Sequence, residues 1–272
     1  MTQTKKYDEN YIVENIFPNL GYLKANIINK NDLKKNFLTN EQVKSLENIL
    51  ENKLTEKDNF DSVLEKVIEL RNLMTPNLAF HNVKQTEDIY NEVEYLSKKL
   101  NIENEDLEDL KIAAYCSNLI LKRRINYNKN GSFANFLDDN KAKSALLTMY
   151  FLEGIGAKEI IGRERITNIG EYINVLEKNK VPQNYCEGII KDASLAYLYK
   201  DNFFNNVKKI EVDELFGMYM SKYTYYGEKA LLENFNYFTT FKGDKRNYLL
   251  KANLAIIEEK IDEFENTYEK IF

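Results

Sequence analysis

Phe80-His81-Asn82-Val83-Lys84-Gln85-Thr86 opens the segment on which the reading of this chain turns, and Ala113-Ala114-Tyr115-Cys116-Ser117-Asn118 closes it. After Thr86 the apolar residues Ile89, Val93, Leu96 and Leu100 recur at helical spacing. The interval Asn101 to Asp109 carries Glu103, Glu105, Asp106, Glu108 and Asp109, and reads as the solvated start of a second helix. Carboxylates favour the positive end of a helix dipole. We expect that second helix to run to about Leu121. Lys122-Arg123-Arg124 would then end it, where cations suit the negative end, and the same three residues could face a phosphate.

Working outward, residues 1–58 read as a helical preamble. Asp8 to Phe17 is a short candidate helix interrupted by Pro18 and Gly21. Thr39 and Gln42 have capping-box spacing ahead of a stripe formed by Val43, Leu46, Ile49, Leu50 and Leu54. A helix from Asp61 presents Val63, Leu64, Val67, Ile68 and Leu70, and Pro76 closes it. Beyond the central segment, Asn126 to Asp138 is polar around Gly131-Ser132 and reads as a loop. Helices follow from Lys141 to Glu153, around Lys158 to Leu176, and from Tyr185 to Tyr199, with Pro182 between the last two. Asn202 to Tyr226 is helical in pattern. The aromatic residues clustered from Tyr223 to Phe238 read as packing surface rather than as a ligand cage. The final helix carries Leu250, Leu254, Ile257, Ile261, Phe264, Tyr268 and Ile271 in alternating steps of four and three. That is a coiled-coil-like seam. It would pack on its own domain or, alternatively, on a second copy of the chain.

The chain has 272 residues, 43% of them hydrophobic, enough for one large domain with a full core. Only three prolines and ten glycines punctuate it, which favours long helices. A net charge of -5 argues against general nucleic-acid binding, because counterion release needs clustered positive charge. Cys116 and Cys186 are the only cysteines, too few for a disulfide framework. Residues 1–8 lack the apolar core of a signal peptide, and no apolar run reaches the ~20 residues of a membrane helix. We therefore expect a cytoplasmic protein. His81 is the only histidine, so no site within one chain holds two imidazoles.

Phe80-His81-Asn82 with Thr86, Ala113 to Ser117, Asp139 to Ala145, Lys180 to Gln183, Asp192 to Leu195, Asp201 to Phe204 and Asn236 to Thr239, in that order, resemble landmarks of a bacterial branch of the HD superfamily, the predicted metal-dependent HD phosphohydrolases. Phe80-His81-Asn82 with Thr86 is similar to that family's aromatic-His-Asn-x-x-His-Thr opening. Ala113-Ala114-Tyr115-Cys116-Ser117 is similar to its Ala-Ala-x-x-His-Asp helix. Asp139-Asn140-Lys141-Ala142-Lys143-Ser144-Ala145 resembles its Asn-His-Glu-x-x-Ser-Ala segment. Lys180-Val181-Pro182-Gln183 and Asp192-Ala193-Ser194-Leu195 resemble the approach to its Asp-Ala-Asp-Leu motif, and Asp201-Asn202-Phe203-Phe204 and Asn236-Tyr237-Phe238-Thr239 extend the likeness. It spans about Asp61 to Ile256.

What the resemblance implies is an all-α, HD-domain-like orthogonal helical bundle over residues 59–272, with the N-terminal helical extension of residues 1–58 and a long C-terminal helix. The family's metals acidify a bound water and neutralise charge on phosphoryl oxygens. Here the ligands are mostly replaced. Gln85 stands for the first ligand histidine, Cys116 and Ser117 for the His-Asp pair, and Asn140 and Lys141 for the His-Glu pair, while Asp192 alone of the metal shell remains. One carboxylate among amides and hydroxyls does not hold a transition metal tightly. Cys116 could be a soft ligand or a nucleophile, but with no second histidine as its base it reads better as a buried structural residue. His81 either caps a helix or keeps a phosphate contact.

We expect His81, Asn82, Lys84, Gln85, Cys116, Asn140, Lys141 and Asp192 to line one pocket, without metal or cofactor. The first expectation is a catalytically inactive HD-fold protein that binds a nucleotide or related phosphate compound, as a sensor or as a sequestering protein for a nucleotide signal. A helical interaction module without a small ligand, working through the C-terminal seam and the preamble as a homodimer or with another partner, is the alternative. An active metal-dependent phosphohydrolase is the third.

Overall fold

The computed structural model describes residues 45, 48–74, 80–119, 121–127, 133–139, 141–177, 180–215 and 221–268. The candidate helix at Asp8 to Phe17, the capping box at Thr39 and Gln42, Asn140, and the far end of the C-terminal seam lie outside them.

The fold is built of helices. In order they are α1 (Phe60–Met74), α2 (Val83–Leu100), α3 (Asn104–Cys116), α4 (Lys141–Gly154), α5 (Lys158–Asn174) and α6 (Tyr185–Ser194). A 3-10 turn (Ala196–Tyr199) follows, then α7 (Phe203–Leu215), α8 (Ser221–Asn234) and the long α9 (Arg246–Tyr268). Two strands, β1 (Leu121–Tyr127) and β2 (Phe133–Asp139), are inserted between α3 and α4.

The first half packs around α3, which touches α1, α2, α4, α5 and α6. The sequence suits that central position, since Leu110, Ile112, Ala113, Ala114 and Cys116 are all fully buried and cover more than one face. The two alanines let neighbouring helices approach closely. Ile49 and Leu54 join this first core, so the described end of the preamble packs with it. There the Leu54 N–H donates to the Ile155 carbonyl at 2.7 Å. A Cβ at Gly156 would lie 2.8 Å from the Leu54 carbonyl oxygen, and its φ of +82 is one that glycine adopts without strain. Gly162, with φ 80 and ψ 160, breaks α5 internally.

A second core gathers Leu198, Tyr199, Phe203, Val207, Tyr225, Leu232, Leu250, Ile257 and Ile261. The seam residues Leu250, Ile257 and Ile261 of α9 are therefore spent on the chain's own interior. One stripe of α9 faces α8 and the 3-10 turn.

Three expectations are corrected. The helix carrying Cys116 ends at that residue rather than near Leu121, because Ser117 and Asn118 turn the chain. Lys122-Arg123-Arg124 therefore ends no helix and lies in β1. The polar stretch from Asn126 to Asp138 largely belongs to an antiparallel hairpin with Arg124 opposite Phe136 and Lys122 opposite Asp138. The physical reason is visible in Leu121, Ile125 and Tyr127, which fall on alternate positions as a strand requires. The third correction concerns Tyr185 to Tyr199, read as one helix, which breaks at Ser194 into a 3-10 turn. The described residues between Asn202 and Tyr226 are helical in α7 and the start of α8.

Candidate functional site

The N-terminus of α2 is set by Asn82. Its extended backbone and its side chain, which accepts from the Gln85 N–H at 3.2 Å, make it the helix cap. Phe80 and His81 precede it, their rings edge to face at 5.1 Å. Gln85 and Thr86 then face inward from the first turn, toward the end of α3.

The side chain that organises this junction is Arg71, from the last turn of α1. It is fully buried. Its Nε donates to Thr86 Oγ1 at 3.0 Å and its Nη1 to the Asn118 carbonyl at 2.9 Å. Asn118 donates through Nδ2 to Gln85 Oε1 at 3.1 Å and accepts from Lys141 Nζ through Oδ1. Lys141 Nζ also donates to the Ser117 carbonyl at 3.0 Å. Four helices thus meet in one polar junction, with a guanidinium and an ammonium directed at the Ser117-Asn118 turn. Cys116 lies beside it, and burial pushes its thiol up to about 12, against the pull of its bond with Thr148 and of the Arg71 charge. A thiol so placed stays protonated and is no nucleophile near neutral pH.

Asn82, Gln85, Cys116 and Lys141 are therefore brought to one region, with His81 at its edge. Lys84 is not. Its side chain is 67% exposed and pairs along the helix with Asp88 at 3.2 Å and Glu87 at 3.8 Å, since it falls on the outer face of the first turn. Asp192 is engaged elsewhere. Completely buried at the end of α6, it accepts from the Phe238 N–H at 3.1 Å, the Thr239 N–H at 2.9 Å and the Thr239 hydroxyl, and pairs with Arg246 Nη1 at 3.4 Å. Burial raises its pKa above the ordinary carboxylate value despite those donors. This carboxylate holds the segment before α9 in place.

Beside the junction is a cavity of about 280 Å³, between the first turns of α2 and the run from Ala193 to Asn206. Gln85 is the predicted residue that lines it. Phe80 and Tyr197 form an aromatic wall, their rings edge to face at 5.3 Å. Ile89 lines it too, and the short side chains of Ala193, Ser194 and Ala196 occupy little of the space. Asn91, Asn202 and Asn206 add amides, and the charges are Asp88 and Lys200. Lys200 is already ion-paired with Glu92, a buried carboxylate that also accepts from the Tyr199 hydroxyl at 3.1 Å.

Sequence reasoning missed Arg71, Asn118, Tyr197, Lys200 and Asn206. Arg71 had a signal, because it falls four residues after Val67 and eight after Val63, on a stripe whose other members are apolar. The pocket residues after Ala193 had none, because their approach to α2 is a tertiary contact.

Among the described residues, no cluster of three His, Cys, Asp or Glu side chains is placed to hold a metal ion. None of their helices is long and apolar enough to cross a membrane. Together these features define a helical protein with a cationic polar junction and a small amide-lined cavity. No family model, no curated protein and no solved structure matches this chain.

Proposed function

We propose that this chain is a catalytically inactive protein on an HD-like helical scaffold, and that it binds a nucleotide or related phosphate compound as a sensor or sequestering protein. One observation carries the proposal. Arg71 and Lys141 converge on Ser117-Asn118, beside the turn where the resembling family keeps its metal-bound His-Asp pair. Divalent metals are held by carboxylates, thiolates and imidazoles. A guanidinium and an ammonium instead repel a cation and favour a phosphate, with the guanidinium preorganised for oxygen pairs. The charge once supplied by ions would be supplied by side chains, which bind an anion without generating a hydroxide to attack it.

Titration calorimetry against mono-, di- and cyclic nucleotides tests this, with metal analysis and phosphate release measured on the same preparation. We expect binding of at least one nucleotide, weakened by Lys141→Ala and by salt, with no phosphate released. No heat with any nucleotide refutes the reading. So does a stoichiometric transition metal accompanied by turnover of a phosphate ester.

A further inference from the structure

The cavity beside α2 differs in chemistry from the cationic junction that adjoins it. Its two lining charges, Asp88 and Lys200, cancel, and Lys200 is held by Glu92. It therefore has no net attraction for a phosphate. Its other polar side chains are amides and two hydroxyls, of which Ser194 Oγ donates to the Lys191 carbonyl at 2.8 Å and Tyr197 OH to Glu228 at 3.1 Å. Gln85 Oε1 is occupied by Asn118 and Asn206 Nδ2 by Asn202 Oδ1 at 3.2 Å. Among the described residues, Gln85 Nε2 and Asn206 Oδ1 have no hydrogen-bond partner, nor do the Asn91 amide and Asn202 Nδ2, so donors and acceptors remain for an occupant, with the Asn206 oxygen the most buried of them. Phe80 is almost fully buried and stands edge to face with Tyr197, so the two rings form an aromatic corner. The volume of about 280 Å³ lies just below the roughly 300–1,000 Å³ of ordinary small-molecule sites. It suits one ring system with modest substituents and is too small for a dinucleotide.

The cavity also lies where the two apolar cores meet. Gln85 and Ile89 come from α2 in the first core, while Ala196, Tyr197 and Asn206 belong to the part of the chain that builds the second. Boundaries of this kind are favoured places for ligands.

We propose that this cavity is a nucleobase subsite. It takes an uncharged heteroaromatic ring against Phe80 and Tyr197, with Gln85 Nε2 donating to a ring acceptor and Asn206 Oδ1 accepting from a ring N–H or amino group. Amides read base edges because they carry donor and acceptor side by side, and aromatic rings supply sequence-tolerant contact with a base face. The inference rests on the nucleotide reading above and deepens it. Gln85 joins the two parts, since it lines the cavity and bonds the Asn118 that Lys141 holds.

The test uses the four common ribonucleosides, their monophosphates and inorganic phosphate, titrated into the full chain by calorimetry. Ser194→Leu fills the cavity, and Gln85→Glu keeps the acceptor for Asn118 while removing the amide donor. Thermal midpoints confirm that both variants fold. At least one nucleoside should bind without its phosphate, and each variant should weaken it tenfold or more. If monophosphates bind while Ser194→Leu and Gln85→Glu bind them as the parent does, the subsite is refuted and the nucleotide reading stands. If a nucleoside binds as tightly as its monophosphate and Lys141→Ala changes neither, the subsite stands and the phosphate reading falls. Silence from every ligand overturns both.

Discussion

Removing the Asp192 carboxylate should cost the fold several kcal/mol, because the structure gives that group to the chain's own backbone. In Asp192→Ala the Thr239 N–H loses its acceptor in a buried place and the Phe238 N–H in a half-buried one. A stranded buried donor costs about 1–3 kcal/mol. The Thr239 hydroxyl can rotate toward another acceptor, and Arg246 keeps Asp244 at 2.7 Å, so the loss of the ion pair is partial. Relief of the buried charge offsets some of the penalty, as the raised pKa of Asp192 indicates. The sum settles near the 3–5 kcal/mol typical of breaking a buried pair. For a chain of this size each kcal/mol moves the melting midpoint by about 2 °C, so the shift should be about 6–10 °C. Circular dichroism melts at neutral pH measure it. A cycle with Thr239→Ala should return a coupling of about 0.5–3 kcal/mol. An Asp192→Ala protein that melts within 2 °C of the parent would refute the anchoring role and return the carboxylate to the list of ligand-binding groups.

Two further outcomes follow from burial. Asp109 is buried beside Arg165, its Oδ1 2.8 Å from the guanidinium Nε, and burial pushes its carboxyl from 3.8 up to about 7 against the pull of that partner. The folded state therefore holds this proton more tightly than the unfolded chain does. Its contribution to stability is full below pH ~4 and is lost as pH rises through about 7. Denaturant midpoints of Asp109→Asn between pH 4 and 8 should show a shallower decline than the parent, and an unchanged slope would contradict the assignment. On α9, Ile257→Ala should cost about 2–5 kcal/mol, because the side chain is wholly enclosed in the second core, whereas Ile256→Ala should stay within about 0.5. Equal losses in urea unfolding would show that the helix is rotated from the orientation described.

Most of the helices were legible because apolar residues at steps of three and four need nothing beyond local chain geometry. Ile89, Val93 and Leu96 on α2, and Leu250, Ile257 and Ile261 on α9, are buried where that spacing places them. The hairpin had only a short signal, the alternation of Leu121, Ile125 and Tyr127, which the charges of Lys122-Arg123-Arg124 mask because they suit a helix end and a strand equally well. The polar junction was half legible. Gln85, Cys116 and Lys141 come together, yet Arg71, which links α1 to Thr86 and Asn118, is distinguished in sequence only by being a charge on an apolar stripe. Asp192 shows the limit most clearly. Its partners Phe238, Thr239 and Arg246 lie 46 to 54 residues away, and no local pattern announces a bond of that span.

Since the hollow is lined by residues of both cores, whatever fills it becomes a rivet across their joint. Glu92, gripped by Tyr199 and Lys200, already fastens the same joint from within. An occupant would stiffen α7 and α9 although it touches neither the Ser117 turn nor the tail of the chain, and amide exchange along those helices would slow when it arrives.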